Sequence, residues 1–153
     1  MKTLHNKIPP PFIAIFFGLL MWLISLKLPL RQIDFAGSFY IACMLIAIGL
    51  YLDINSFFNF RKSNTTINPL SPEKASKLVV KGFYRVTRNP MYLGMLLILT
   101  GVAMFFGNLS SFLVLPLFVL VINILQIKPE EEALTKLFGI EYEVYMSSVR
   151  RWL

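Results

Sequence analysis

The chain is poor in the residues that enzymes most often use to form bonds or hold metals. Its 153 residues include one cysteine, Cys43, and one histidine, His5. A lone cysteine excludes an intramolecular disulfide and a thiolate metal cluster. Cys43 lies inside an apolar run, where a buried structural thiol is expected, and nothing beside it supports a nucleophile. His5 precedes the first apolar run, in a terminus where no ligand role is expected, so no metal site is predicted. There is no Ser–His–Asp set, no P-loop and no Rossmann glycine fingerprint. Internal repeats and low-complexity segments are absent as well. Acids are scarce: eight against fifteen lysines and arginines, for a net charge of +7. The basic residues fall in gaps between apolar runs, where lipid headgroups would meet them, so no nucleic-acid partner is expected.

Apolar residues are what the chain has in plenty. They make up 56% of it, more than a soluble domain of this size can hide. The expectation is an all-α polytopic membrane protein, a single domain over residues 1–153, with about four spans and a C-terminal amphipathic cytoplasmic helix. The apolar runs cover about 11–30, 35–52, 91–106 and 109–127, each near the roughly 20 residues that cross a hydrocarbon core. The first resembles a signal peptide but lacks a small-residue cleavage site and is long, so it reads as a retained span. Lys27 near its end can snorkel. The second continues into the aromatic-rich "YLDINSFFNF". The third is short enough to tilt little or to begin in the interface. The third and fourth are joined by "GNLSS", a helical hairpin with Asn108 or Ser110 as the N-cap, and Pro116 should kink the fourth.

Basic residues set the expected topology. Lys2 and Lys7 precede the first span, and loop 61–88 carries seven lysines and arginines against Glu73. Both termini and that loop are therefore placed in the cytoplasm, with "RNPMYLG" on the same side as tail 128–153. Pro129 suits a first helical turn, and the glutamates after it suit a helix N-terminus. Ala133, Leu134, Leu137 and Phe138 share a face, Gly139 ends or bends that helix, and Tyr142, Tyr145 and Val149 continue as a second amphipathic stretch.

Several clusters near that face can carry chemistry. In "GFYRVTRNPMYLG", helix N–H groups with Arg85 and Arg88 suit a partly anionic ligand, although a capped helix start with an aromatic anchor explains the same residues. Glu130 and Glu131 suit a cationic amine or, equally, the helix dipole. Tyr142, Tyr145, Arg150, Arg151 and Trp152 suit interfacial anchoring, or an arginine that orients a carboxylate or phosphate. Asn123 and Gln126 can glue helices together or line a pocket, and Asp53 near the end of the second span raises the same question.

In order along the chain come Gly82, Tyr84, Arg88, Asn89, Pro90, Tyr92 and Gly94, a helical hairpin, the acid pair, then Phe138, Gly139, Tyr142, Tyr145, Val149, Arg151 and Trp152. This pattern, over about residues 78–153, closely resembles the isoprenylcysteine carboxyl methyltransferase and phospholipid methyltransferase group of integral membrane enzymes. The resemblance implies S-adenosyl-L-methionine as cofactor, held by Arg88, Asn89, Pro90, Tyr92, Leu93, Gly94, Glu130, Glu131 and Tyr142. Arg151 and Tyr145 are placed at the reacting centre, with Arg151 orienting an acceptor carboxylate. A thiol or amine acceptor would need a base, for which Glu131 or a tyrosine is the candidate. Asn89 departs from the histidine of many members and cannot titrate near neutral pH. The acceptor is expected to be lipidic or small and apolar, reached from the bilayer. The other readings are an NADPH-dependent membrane reductase related to sterol reductases, and a non-catalytic membrane scaffold.

Overall fold

The computed structural model describes residues 8–33, 35–62 and 75–153. Lys2, His5, Lys7 and loop positions 63–74, Glu73 and Lys74 among them, lie outside the described residues. The architecture is helical: α1 (Pro10–Lys27), α2 (Ser38–Lys62), α3 (Pro90–Phe106), α4 (Leu109–Phe112), α5 (Val114–Ile122), α6 (Lys128–Phe138) and α7 (Ile140–Ser148). A 3-10 turn, Gly82–Arg85, precedes α3, and a π-helical turn, Asn123–Ile127, joins α5 to α6. Three stretches are long and apolar enough to cross a membrane: Pro10–Lys27, Ser38–Asn59 and Leu109–Phe138. The apolar helix α3 is shorter. With apolar side chains on every side, these helices suit a lipid environment.

The short helix α3 is the hub of the packing. Its Tyr92, Met95, Leu99 and Ala103 pack with Ile13, Phe17 and Met21 of α1 and with Val114, Phe118 and Ile122 of α5. The Phe17 and Phe118 rings meet edge to face at 5.5 Å, the arrangement that ring quadrupoles favour. On the far side α3 meets α2 along a row of small residues. A Cβ on Gly49 would lie 2.6 Å from the Gly94 carbonyl, and one on Gly101 would lie 2.7 Å from the Ala42 carbonyl. Small residues at such a seam let two membrane helices approach backbone to backbone.

Three expectations are corrected and one is met. α2 runs ten residues past the predicted end at Leu52, because "YLDINSFFNF" stays helical, burying Ser56 while Phe57 and Phe58 face outward. Cys43 is exposed on an outer face of α2, so the run that holds it contacts the surroundings there instead of a core. The interruption expected from Pro116 in the fourth span falls at Leu113, between α4 and α5, in the turn where that proline leaves the Phe112 carbonyl without a donor. The tail does not start a separate helix at Lys128, since Ile127 and Lys128 both keep right-handed helical backbone. The π turn just ahead of Pro129 widens the helix where that ring would crowd the Leu125 carbonyl. The actual boundary is Gly139, at φ 53°, a conformation that costs a glycine little.

At the end of α3 away from the tail, Asn108 closes the bundle. Its side-chain oxygen accepts from Ser110 N at 3.2 Å, Ser110 Oγ at 2.9 Å and Leu30 N at 3.0 Å. Ile33 N donates to Gly107 O at 2.8 Å and Leu109 N to Arg31 O at 3.0 Å, which pairs the two connecting loops. Asn108→Ala should destabilise the fold by about 2 kcal/mol, the sum of a lost cap and an orphaned N–H. Denaturant unfolding in detergent would read this as a lower midpoint at constant slope.

Candidate functional site

The site is assembled where the start of α3 meets the tail. Residues 87–89 run beside Arg150: Thr87 and Arg150 form a parallel bridge, and Arg88 N donates to Arg150 O at 2.9 Å. The Arg151 carbonyl accepts from Thr87 Oγ1 at 3.1 Å and from Asn89 Nδ2 at 2.9 Å. Tyr145 OH donates to the Tyr84 carbonyl at 2.7 Å. Trp152 Nε1 donates to Asn123 Oδ1 at 3.3 Å, and Gln126 Nε2 donates to Ile8 O at 2.8 Å. The start of α1, the start of α3, the π turn and the tail are thereby gathered at one end of the bundle. Asn123 and Gln126 serve as glue between segments.

Glu131 is the electrostatic centre of this end. Arg88 Nη2 donates to its Oε1 at 2.8 Å, while Arg151 donates to Oε1 through Nε at 3.0 Å and to Oε2 through Nη2 at 2.6 Å. The Arg88–Glu131 pair is largely enclosed, with side-chain exposures of 10% and 13%, while the Arg151 side chain is 36% exposed. Glu131 raises the Arg151 pKa further, chiefly through the hydrogen bond. Arg88 Nη1 also donates to Met146 O at 3.0 Å and Val149 O at 2.8 Å. Arg88 therefore holds α6 and the end of α7 against α3. Its Nε is buried without a partner.

A second group lies beside the first. Tyr92 OH donates to Glu130 Oε2 at 3.1 Å. The rings of Tyr142 and Tyr145 are 6.0 Å apart, tilted at 53°, and both side chains are buried. Burial pushes the Tyr145 hydroxyl up to about 12. Burial and then the Glu131 charge push Tyr142 above its ordinary range. Burial, then Glu130, pushes Tyr84 well up. Burial thus favours the protonated form of these hydroxyls at neutral pH, and that of Tyr145 donates to the Tyr84 carbonyl.

Most of the residues expected from sequence thus meet here: Arg88, Asn89, Tyr92, Glu130, Glu131, Tyr142, Tyr145 and Arg151. Pro90 is fully buried in the first turn of α3, and Leu93 is partly buried beyond it. Gly94 faces α2, where it makes the close approach to Gly49. Arg85 is exposed and outside the network. Among the described residues no cluster of histidine, cysteine or acidic side chains forms a metal site.

The profile of the family described as phospholipid methyltransferase matches residues 38–141. The chain belongs to the phospholipid methyltransferase family. An uncharacterized protein of Haemophilus influenzae is 48% identical over 63 residues, which cover 41% of this chain and 100% of that protein. No solved structure matches the chain. Membership makes this an integral membrane protein of a methyltransferase family, and the matched segment contains α2, the start of α3, Glu130 and Glu131, while Tyr142, Tyr145 and Arg151 lie beyond it.

Two participants escaped the sequence reading. Thr87 looked like a filler between two arginines, yet its hydroxyl accepts from Asn89 N at 3.2 Å and donates to the tail. Its signal was its place just before a helix start, a usual position for a capping hydroxyl. Tyr84 was only a motif letter. Nothing local announces that its carbonyl receives a hydroxyl 61 residues later.

Proposed function

We propose that this phospholipid methyltransferase family member is an S-adenosylmethionine-dependent enzyme. Its cofactor site would lie where α3, α6 and the tail meet, and its acceptor would be lipidic or apolar and enter from the bilayer. One observation carries the reading: Glu131 ties Arg88 at the start of α3 to Arg151 in the tail, with Glu130 and two buried, mutually tilted tyrosines alongside. Lys77, Lys81 and Arg85 lie in the segment leading to that end, and the positive-inside rule assigns such an end to the cytoplasm.

The donor set suits the cofactor's charges. The unpartnered Nε of Arg88 suits a carboxylate. Glu130, whose contact is a tyrosine hydroxyl, suits an ammonium. The faces of Tyr142 and Tyr145 suit a sulfonium, at about 0.5–2 kcal/mol for each cation–π contact. Glu131, already neutralised by two guanidiniums, braces Arg88 and Arg151. When bound, the cofactor supplies an electrophilic methyl group. The protein's own work is to align the two partners and keep water out, for which no covalent nucleophile is needed.

Titration calorimetry of the purified protein with S-adenosylmethionine, S-adenosylhomocysteine and NADPH tests this. Binding of the first two is expected, with Glu130→Gln weakening both at least tenfold through loss of the ammonium's counter-charge. Binding of NADPH alone would make the chain a reductase, and binding of none would leave a scaffold.

A further inference from the structure

Gln126 uses only half of its amide. It lies in the π turn between α5 and α6 and is fully buried. Its Nε2 donates to Ile8 O at 2.8 Å, but its Oε1 is buried without a hydrogen-bond partner. Asn123, in the same turn, gives the contrast: its Nδ2 donates to Val119 O at 2.9 Å and its Oδ1 accepts from Trp152 Nε1 at 3.3 Å. Turning the Gln126 amide over does not help. The Ile8 carbonyl only accepts, so the nitrogen must face it, and a flip would set two oxygens together. The oxygen is therefore fixed as an unused acceptor, which is costly in a buried setting. Such a cost is offset where a bound molecule brings the donor, and π turns are frequent at functional sites.

Glu130 identifies the donor. It lies four residues after Gln126, and the backbone between them stays right-handed helical. Positions so spaced are neighbours on one helix face. Among the described residues Glu130 forms no ion pair, and its contact is the Tyr92 hydroxyl. A carboxylate beside a neutral carbonyl oxygen suits an ammonium, which carries three N–H donors and calls for more than one acceptor. A neutral amine or a hydroxyl would satisfy Gln126 but leave the charge of Glu130 uncompensated.

We propose that Gln126 binds the ammonium at the amino-acid end of the cofactor, its Oε1 accepting one N–H while Glu130 supplies the counter-charge. This rests on the methyltransferase reading and adds a second, neutral acceptor for the amino group. The same amide holds the start of α1, so one side chain links the first membrane helix to the cofactor. Gln126 moves no proton and forms no covalent bond. It sets the affinity for the charged end and the orientation of that end.

The test uses full-length protein in detergent and calorimetry with two probes: S-adenosylhomocysteine and its deamino analogue, in which hydrogen replaces the amino group. Wild-type protein should prefer S-adenosylhomocysteine at least tenfold. Gln126→Met has a similar volume and no amide. It should weaken S-adenosylhomocysteine at least fivefold and leave the analogue within twofold, because the analogue brings no ammonium. Equal weakening of both probes would make Gln126 an anchor of α1 alone and overturn the proposal. So would unchanged affinity for both. A wild-type protein that binds the two probes equally also overturns it, while the cofactor reading survives. One that binds neither probe sinks both. Should Gln126→Met fail to fold, Gln126→Glu decides, since its carboxyl keeps an oxygen for the ammonium: a preference for S-adenosylhomocysteine at least as large as that of the wild type supports the contact, and a smaller one overturns it.

Discussion

Glu131→Gln is expected to weaken S-adenosylhomocysteine binding at least tenfold and to loosen the tail. The carboxylate of Glu131 accepts three charge-assisted hydrogen bonds from two guanidiniums. Glutamine has nearly the same shape, but it offers one acceptor oxygen and turns an NH2 toward a group that only donates. Two guanidiniums are then left facing each other without the anion that justified their approach. Breaking a fully buried pair costs about 3–5 kcal/mol. The exposure of Arg151 screens part of that, so about 2 kcal/mol is the expected loss. Arg88 is no longer held against α6, which displaces its unpartnered Nε from the site. Arg151→Lys should show a smaller loss, since it keeps the charge and gives up the two-pronged contact. Calorimetry measures affinity, and limited proteolysis beyond Gly139 measures tail release. Unchanged affinity with an intact tail would show that the triad is a surface ornament.

Gly94→Val should cost at least about 3 kcal/mol and in practice leave little folded protein. The new Cβ would lie 2.7 Å from the Gly49 carbonyl and strike the Asp53 carboxylate. The first obstacle is backbone, which cannot rotate away as a side-chain tip can, so the helices must separate. Overpacking a core costs typically 1–3 kcal/mol even where side chains can shift. Separation here also breaks the Ala42–Gly101 approach further along the seam. Gly18→Ala is the contrasting case: its nearest obstacle is Leu99 Cδ2 at 3.8 Å, ordinary contact, and the substitution should lie within about 0.5 kcal/mol of neutral. Thermal unfolding in detergent, followed by size-exclusion profile, compares the two. Equal stability of both variants would mean that α2 does not depend on the glycine seam.

The motif residues of this family, at their spacings, made the candidate site legible in the sequence. Arg88, Tyr92, the acid pair and Arg151 were all named from sequence, because each residue type is unusual where it stands, next to an apolar run. Their division of labour was not legible. Glu130 and Glu131 are neighbours in the chain with the same side chain, yet one meets a tyrosine hydroxyl and the other two arginines. Adjacent helical positions point about 100° apart, so neighbours reach different partners. Cys43 shows the converse failure. An apolar neighbourhood in sequence means buried in water-soluble proteins, but in a membrane helix it is equally the mark of an outward face.

By itself the sequence determined that the chain is helical and membrane-bound, where its hydrophobic runs lie, and which residue types gather at the basic end. These follow from composition and local spacing, which act within a few turns of chain. The tertiary structure decided which of those residues touch. Glu131 is 43 residues from Arg88 and 20 from Arg151, and Asp53 meets Gly94 only because a row of small residues lets α2 and α3 close on each other. Contacts at such separations depend on how whole helices pack, and no local pattern carries that information.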